Sequence, residues 1–365
     1  MYVQPIRPEQ SVPFVPVELR EVEPHVAVLL NANAKRVDDK VIRALSHVVP
    51  DGDLFVSRTY EDARAIAQQV VDRKYRVVIT GGGDGTFMGF ANEIFNLLER
   101  RQSASPFGMR APRFGVLKLG TGSLLANLTG ASSLCCDGIL DDVLRARANE
   151  IPGVKKLELI STEGKRAPFA GIGLDAGILN HYVENKRAAG TGTLGKLYAG
   201  GAGYFLTITG TSAPYYALNR KRPEMEIRTR GVAYRMGPDG KPVGEPIAPG
   251  SLLYTGPAVI AAAGTVPCYG FNFRIFPFAG TRRGFMHLRV ANVPLPSVVA
   301  NLPRLWNGKW FTEGLHDFLV EDVELKLDQK VPYQIGGDAE GYRDALRWSM
   351  WNNSVELLDY STVRR

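Results

Sequence analysis

The alternation of apolar runs with amphipathic stretches between residues 25 and 150 restricts the fold of this chain more than any other feature. Val26 to Leu30 is an apolar run, followed by an amphipathic stretch carrying Val37, Val41, Leu45 and Val48. A short run from Leu54 to Val56 leads into a helical pattern from Glu61 to Lys74, and Val77, Val78 and Ile79 then read as a third strand. Behind it Phe87, Phe90, Ala91, Ile94 and Leu98 recur at helical spacing, a polar loop fills 102–112, and Phe114 to Leu119 forms a fourth run. Helical patterns follow near 123–129 and 137–148. Strands and helices in this order predict a parallel sheet covered by helices. Ligands of such sheets bind at the carboxyl ends of the strands.

After about Gly153 the texture changes to short β-rich runs: Lys155 to Ile160, Pro168 to Ile172, Met225 to Arg230, Leu252 to Ala262, Phe285 to Val290, Val323 to Leu327 and Ser354 to Leu358. Turn residues separate them, which predicts a second, mostly antiparallel domain with one helical insertion near 178–206. Residues 1–24 carry five prolines and no periodicity and read as a flexible arm. The expected organisation is an arm over 1–24, an α/β domain with a parallel sheet over 25–152, and a β-rich domain over 153–365. A chain of 365 residues, 45% apolar and 22% charged, has the composition of a globular protein of about this many units.

No apolar run approaches the roughly 18 residues that span a bilayer, and the start of the chain lacks an apolar signal segment, so a cytoplasmic protein is expected. Cys135, Cys136 and Cys268 have neither disulfide-framework nor zinc-knuckle spacing and read as small apolar residues. The formal charge of +7 is scattered, without a Lys/Arg block interleaved with aromatics. That excludes nucleic acid as the expected partner and leaves a nucleotide or a membrane surface.

Gly81-Gly-Gly-Asp84-Gly-Thr86 falls where a strand ends and a helix starts. Glycines there are expected to reach positive φ and to let a phosphate approach without Cβ atoms in the way, while the helix terminus offers N–H donors. Asp84 repels a bare phosphate; it makes sense as a Mg²⁺ ligand or as a group that orients a hydroxyl nucleophile. The blander reading is a tight turn with an Asp cap. Lys118-Leu-Gly-Thr121-Gly122-Ser123 is a second strand-to-helix turn whose hydroxyls and ammonium suit phosphate oxygens. Gly190 to Lys196 mimics a P-loop, but Leu197 replaces the hydroxyl residue. Gly171, Gly173 and Ala176 fit a dinucleotide pattern without the acidic residue that should hold a ribose.

Asp175 follows a strand in Gly171-Ile-Gly-Leu-Asp-Ala176, and Asp338 and Glu340 sit in Gly336-Gly-Asp-Ala-Glu-Gly341. Carboxylates beside glycines at strand ends suit contact with a substrate hydroxyl, and alternation puts Asp338 and Glu340 on one side if the segment is extended. A solvated Asp-Gly turn explains either pair equally well. No histidine pairs with a nucleophile signature, and His287 and His316 read as structural.

Taken together, Asn31 after the first strand, GGGDGT at 81–86, LGTGS at 119–123, GIGLDA at 171–176 and GGDAEG at 336–341 resemble the diacylglycerol kinase catalytic-domain family, which includes bacterial lipid kinases and sphingosine kinases. The resemblance spans about residues 25–345, and its GGDGT motif is shared with NAD kinases. It implies an α/β domain facing a β-sandwich domain and transfer of a phosphoryl group from ATP, with Mg²⁺, to a lipid hydroxyl. The ATP site it implies is Asn31, Thr59, Gly82, Gly83, Asp84, Gly85, Thr86, Thr121 and Gly122. The family's catalytic carboxylates fall on Asp338 and Glu340, and Asp175 matches a position facing the lipid head group. The partners implied are ATP, a lipid and transiently a membrane surface, with a homodimer allowed. An NAD kinase-like small-molecule kinase and a catalytically silent lipid-binding protein are the alternatives. The chain departs from the family pattern at Met88 and Gly89, where Asn-Glu is usual and reappears only at Asn92 and Glu93, at Ser123, and at Leu124. Arg283 stands where relatives place an Asp that helps hold a structural Mg²⁺. Its guanidinium is expected to pair with a carboxylate such as Asp322 or Glu324 instead, or, equally, to be a structural Arg on a strand end with no carboxylate partner. Trp306 and Trp310, with Leu302, Leu305, Phe311, Arg304 and Lys309, suit either a membrane interface or packing under a loop.

Overall fold

A computed structural model describes residues 25–102, 110–120, 124–133, 137–174, 176–179, 181–182, 222–269 and 272–363. The expected α/β half is present. Strands β1 (Val26–Asn31), β2 (Leu54–Ser57), β3 (Val77–Gly82) and β4 (Arg113–Lys118) are parallel in the order β2-β1-β3-β4. β1 and β3 are apolar on both faces because helices cover both, as a parallel sheet requires. The helices are α1 (Asp39–Ser46), α2 (Tyr60–Asp72), α3 (Asp84–Gln102), α4 (Leu124–Leu128) and α5 (Gly138–Arg147). Local chemistry sets their starts. Asp38 accepts from the amides of Lys40 and Val41 at α1, and Thr59 and Asp62 form a reciprocal capping box at α2.

The second half is antiparallel: β5 (Val154–Thr162), β6 (Lys165–Ala167), β7 (Phe169–Gly173), β8 (Glu224–Thr229), β9 (Ala233–Arg235), β10 (Leu252–Pro257), β11 (Ile260–Gly264), β12 (Met286–Ala291), β13 (Leu315–Val320), β14 (Asp322–Ile335) and β15 (Asp338–Leu358). The two halves are joined through β15. Its far end pairs parallel to β4 at Leu357 and Phe114, and its body pairs with β14 and β5. Gly336 and Gly337, with φ of 60° and 93°, make the two-residue turn that sets Ile335 opposite Asp338.

The run Leu252 to Ala262 forms two strands rather than one, split where Gly256 takes φ of 132° and Pro257 removes a donor. β6, β9 and β13 have no counterpart in the sequence reading. The predicted helical insertion lies largely outside the described residues. Among those described, no helix is long and apolar enough to cross a membrane.

Residues 301–311 pack inward, contrary to a membrane-facing role. Leu302 and Leu305, on helix α7 (Leu302–Trp306), and Trp310 are buried, Trp306 stacks on Phe273 at 4.9 Å and Phe311 stacks on Phe278. Pro303, Arg304, Asn307 and Lys309 are the exposed residues of the segment. The short helix α6 (Leu295–Ala300) precedes this segment. The β-rich half also buries a charged cluster. Asp317 accepts from Arg289 Nε and Nη2 at 2.7 and 3.0 Å and lies 2.9 Å from His287 Nε2.

Candidate phosphate-binding site

Parallel pairing brings the ends of β1, β3 and β4 into register, with Leu30 beside Gly81 and Gly82 beside Lys118. The glycine-rich turn therefore opens at the carboxyl edge of the sheet. None of Gly81, Gly82, Gly83 and Gly85 has positive φ, so the expected left-handed turn is not what these glycines provide. Close approach is what they provide. A Cβ on Gly82 would fall 2.5 Å from Thr86 Oγ1, and one on Gly120 would fall 2.4 Å from Gly83 Cα and 2.8 Å from the Gly82 carbonyl. The two turns thus touch backbone to backbone. Gly85 is different: it is exposed, and a Cβ there meets no protein atom within 4 Å.

Asn31 donates from Nδ2 to Thr86 Oγ1 at 3.0 Å, while its Oδ1 accepts from the Asn33 amide at 2.9 Å. Asn31 and Thr86, far apart in sequence, are therefore neighbours at the turn. Thr59 is exposed, and its hydroxyl accepts from the Asp62 amide in the α2 capping box. Thr121, Gly122 and Asp175 lie outside the described residues.

Asp84 opens α3, yet its carboxylate caps the start of α4: Oδ2 accepts from the Leu124 amide at 2.8 Å and Oδ1 from the Leu125 amide at 3.0 Å. It is partly buried rather than lying on an exposed turn. Burial pushes its carboxyl up, and the two backbone donors work against that shift. Asp84 thereby clasps the GGGDGT turn to the segment that follows LGTGS.

The carboxylate hairpin is extended, so Asp338 and Glu340 share a side of β15 as alternation requires. Glu340 accepts from Lys165 Nζ at 2.5 Å. The Asp338 side chain makes no hydrogen bond or ion pair among the described residues. Although Asp338 retains open surface, crowding by the hairpin, with Glu340 nearby, pushes its carboxyl up, and Lys165 opposes this. Its environment holds a proton more readily than an ordinary carboxylate does.

Residues 25–155 match the diacylglycerol kinase catalytic domain. The crystal structure of a diacylglycerol kinase from Bacillus anthracis str. Sterne aligns with 93% of this chain and 98% of its own, with a TM-score of 0.57 and 14% identity. A second structure from the same organism, provisionally named a diacylglycerol kinase, aligns over the same shares with a TM-score of 0.62 and 15% identity. These two likenesses establish the fold. No curated protein sequence matches the chain.

Within the matched residues 25–155, Asn92 and Glu93 take different parts. Asn92 donates to the carbonyl oxygens of Met88 and Arg166 and accepts from the Arg166 amide, tying α3 to β6. Glu93 accepts from Tyr60 Oη and lies 3.7 Å from Arg64. Lys165, Arg166 and the bonds of Asn92 carried no signal in the sequence, because β6 is three residues long and its partners are remote.

Arg283 does not pair as expected. Asp322 is held by Arg347 and Glu324 by Arg230, and Arg283, exposed, has no carboxylate partner among the described residues. The neighbouring Gly284 amide is the group that binds acid, donating to Glu158 at 3.0 and 3.2 Å. Arg283 lines a groove of about 1450 Å³ with Glu99, Glu158, Arg347 and Trp351, and none of the GGGDGT or hairpin residues lines that groove. Its charges are of both signs, so it offers no electrostatic preference.

Proposed function

We propose that the protein is an ATP-dependent kinase that transfers the γ-phosphoryl group to a lipid hydroxyl. The observation that carries this reading is the joined pair of turns. Donor-rich backbone at a helix start, packed too tightly for any Cβ at Gly120 and left open at Gly85, is what a polyphosphate needs. In this reading Asn31, Gly82, Gly83, Gly85, Thr86, Thr121 and Gly122 hold ATP.

Mg²⁺ fits as a partner of the nucleotide. Among the described residues no group of three or more His, Cys, Asp or Glu gathers into a metal cage. Asp84, with one lone pair on each oxygen engaged by backbone, retains capacity for a single metal contact, and Mg²⁺ at nucleotide sites is held by one or two carboxylates plus phosphates. The ion would neutralise charge on the transferring phosphoryl group.

Asp338 is the better general base of the two hairpin carboxylates, because it is unpaired and its proton affinity is raised, whereas Glu340 is engaged by Lys165. The acceptor hydroxyl gives its proton to Asp338 as its oxygen bonds to the γ-phosphorus and the bond to the β-phosphate oxygen breaks, releasing ADP. Asp175 is assigned to the acceptor side.

The test is incubation of the purified protein with γ-labelled ATP and either a membrane lipid extract or NAD. A labelled lipid is the expected product. Label in NAD alone would identify a small-molecule kinase, and nucleotide binding without transfer to either would identify a silent member.

A further inference from the structure

Strand β6 touches two functional elements with its two faces. Its predecessor turn, Glu163-Gly164, has φ of 47° and 76° and sets Thr162 opposite Lys165. Side chains then alternate, so Lys165 and Arg166 point to opposite sides. On one side Lys165 holds Glu340 at 2.5 Å, and Arg343, on β15 and two strands away across the sheet, is gripped by both oxygens of Glu163 at 2.7 and 3.0 Å while donating to the Glu340 carbonyl at 3.0 Å. On the other side Arg166 meets a single stripe of α3. Its amide and carbonyl bond the Asn92 side chain at 2.9 and 2.8 Å, its guanidinium donates to Asn96 at 2.8 Å and to Glu99, and it lies 4.9 Å over Trp351. Positions 92, 96 and 99 share one helix face. The Asn92 amide acts on the free edge of β6 as a neighbouring strand's peptide would.

We propose that β6 sets the carboxylate hairpin against the nucleotide-binding helix, with Lys165 and Asn92 as positioning residues for phosphoryl transfer. The inference rests on the kinase reading above. α3 begins at Asp84 and β15 begins at Asp338, so the strap fixes the separation of the phosphate turn from the base without touching either substrate. Loss of either contact leaves ATP binding intact and lets the hairpin drift. A displacement of about 1 Å at a reacting group costs on the order of 10²-fold in rate. The charged and titratable groups around the hairpin tip are Lys165 and Glu163 from the β5–β6 hairpin, Glu340 and Arg343 from β15, and Tyr333 from β14. Lys165 is the cation that opposes protonation of Asp338. Removing it raises the proton affinity of Asp338, so the acid limb of the rate profile must move to higher pH.

The experiment compares wild type, Lys165→Met, Lys165→Arg and Asn92→Asp. Asn92→Asp keeps the acceptor for the Arg166 amide and sets an oxygen against the Arg166 carbonyl. Expected are a loss of roughly 10–100-fold in kcat for Lys165→Met and Asn92→Asp with unchanged KM for ATP, an acid limb displaced upward in Lys165→Met, and its return in Lys165→Arg. The Asp338 carboxyl is followed in parallel by ¹³C NMR titration in wild type and Lys165→Met, a readout independent of turnover. An unmoved titration, or kcat within twofold of wild type with both variants folded, overturns the proposal. An inactive wild type whose Asp338 titration still moves in Lys165→Met would count against the kinase reading and leave the strap's hold on the hairpin supported.

Discussion

Asp84 serves two demands with one carboxylate. Both of its oxygens hold amides of α4, and in the kinase reading the same group faces the metal–nucleotide. Asp84→Asn then has two measurable effects. One amide nitrogen of the new side chain opposes a backbone N–H, so unfolding free energy falls by about 1–3 kcal/mol, read by urea denaturation. Turnover falls by more than this accounts for, read as kcat on folded protein. Loss of stability with unchanged turnover would reduce Asp84 to a cap. Gly85 and Gly120 separate ligand contact from packing in the same way. Gly120→Ala drives a methyl into backbone, which cannot yield as a side chain tip does, and should destabilise by about 1–3 kcal/mol. Gly85→Ala meets no protein atom and sits within α3, so it should be neutral or stabilising by up to about 1 kcal/mol while weakening ATP binding. Calorimetric titration with ATP beside thermal melts checks both, and undiminished affinity in Gly85→Ala would move the phosphate away from this turn. The motif itself was legible in the sequence because its residues are contiguous. The clasp to Leu124 and Leu125 was not, since an Asp after three glycines looks the same whether it caps its own helix or another.

Elements of the β-rich half were legible where alternation was unbroken and lost where it was not. β14 and β15 extend well beyond the runs Val323 to Leu327 and Ser354 to Leu358, because shifts in register between Lys326 and Val331 and between Met350 and Ser354 scramble the two-residue period. β12 and β13 hide the other surprise, the pairing of His287 and Arg289 with Asp317. Burial would raise the Asp317 carboxyl, but the Arg289 charge and the bonds from His287 and Arg289 hold it well below the ordinary carboxylate range. Burial drives the His287 imidazole down, so it is neutral at pH 7. Both shifts have the same consequence: the unfolded chain binds more protons than the folded one. Asp317 contributes stability that is fully present above about pH 4 and is lost as the pH falls below it, and neutral His287 adds a loss that begins near pH 6.5. Asp317→Asn strands a buried guanidinium, so it should lower unfolding free energy by about 3–5 kcal/mol at pH 7 and show a shallower loss between pH 4 and 2. Denaturation curves across that range decide it, and an unchanged midpoint at pH 7 would mean that Arg289 finds another partner.

At the scale of the molecule, the order of elements along the first half was legible, whereas the way the chain's end returns to it was not. Leu357 pairs beside Phe114, and Leu357, Leu358 and Tyr360 are buried in the same core cluster as Val78, Phe114 and Leu157. The proposed units 25–152 and 153–365 therefore share β15. Residues 25–152 expressed alone should lack cooperative unfolding and exchange their β4 amides rapidly. Adding a peptide of residues 353–363 should slow that exchange, and a stable, well-dispersed fragment without the peptide would show that the shared strand is dispensable.

That arrangement also dictates an order of events at the ribosome. The four parallel strands emerge early and can associate, yet β4 remains an open edge until the last residues of β15 arrive. At about 5–20 residues per second the interval is on the order of ten to fifty seconds. For that time the nascent chain displays the unpaired backbone of an otherwise apolar strand, a surface prone to pairing with other chains. Closure of the parallel sheet thus waits on the emergence of β15, and slowing translation between β4 and β15 lengthens exposure of that edge.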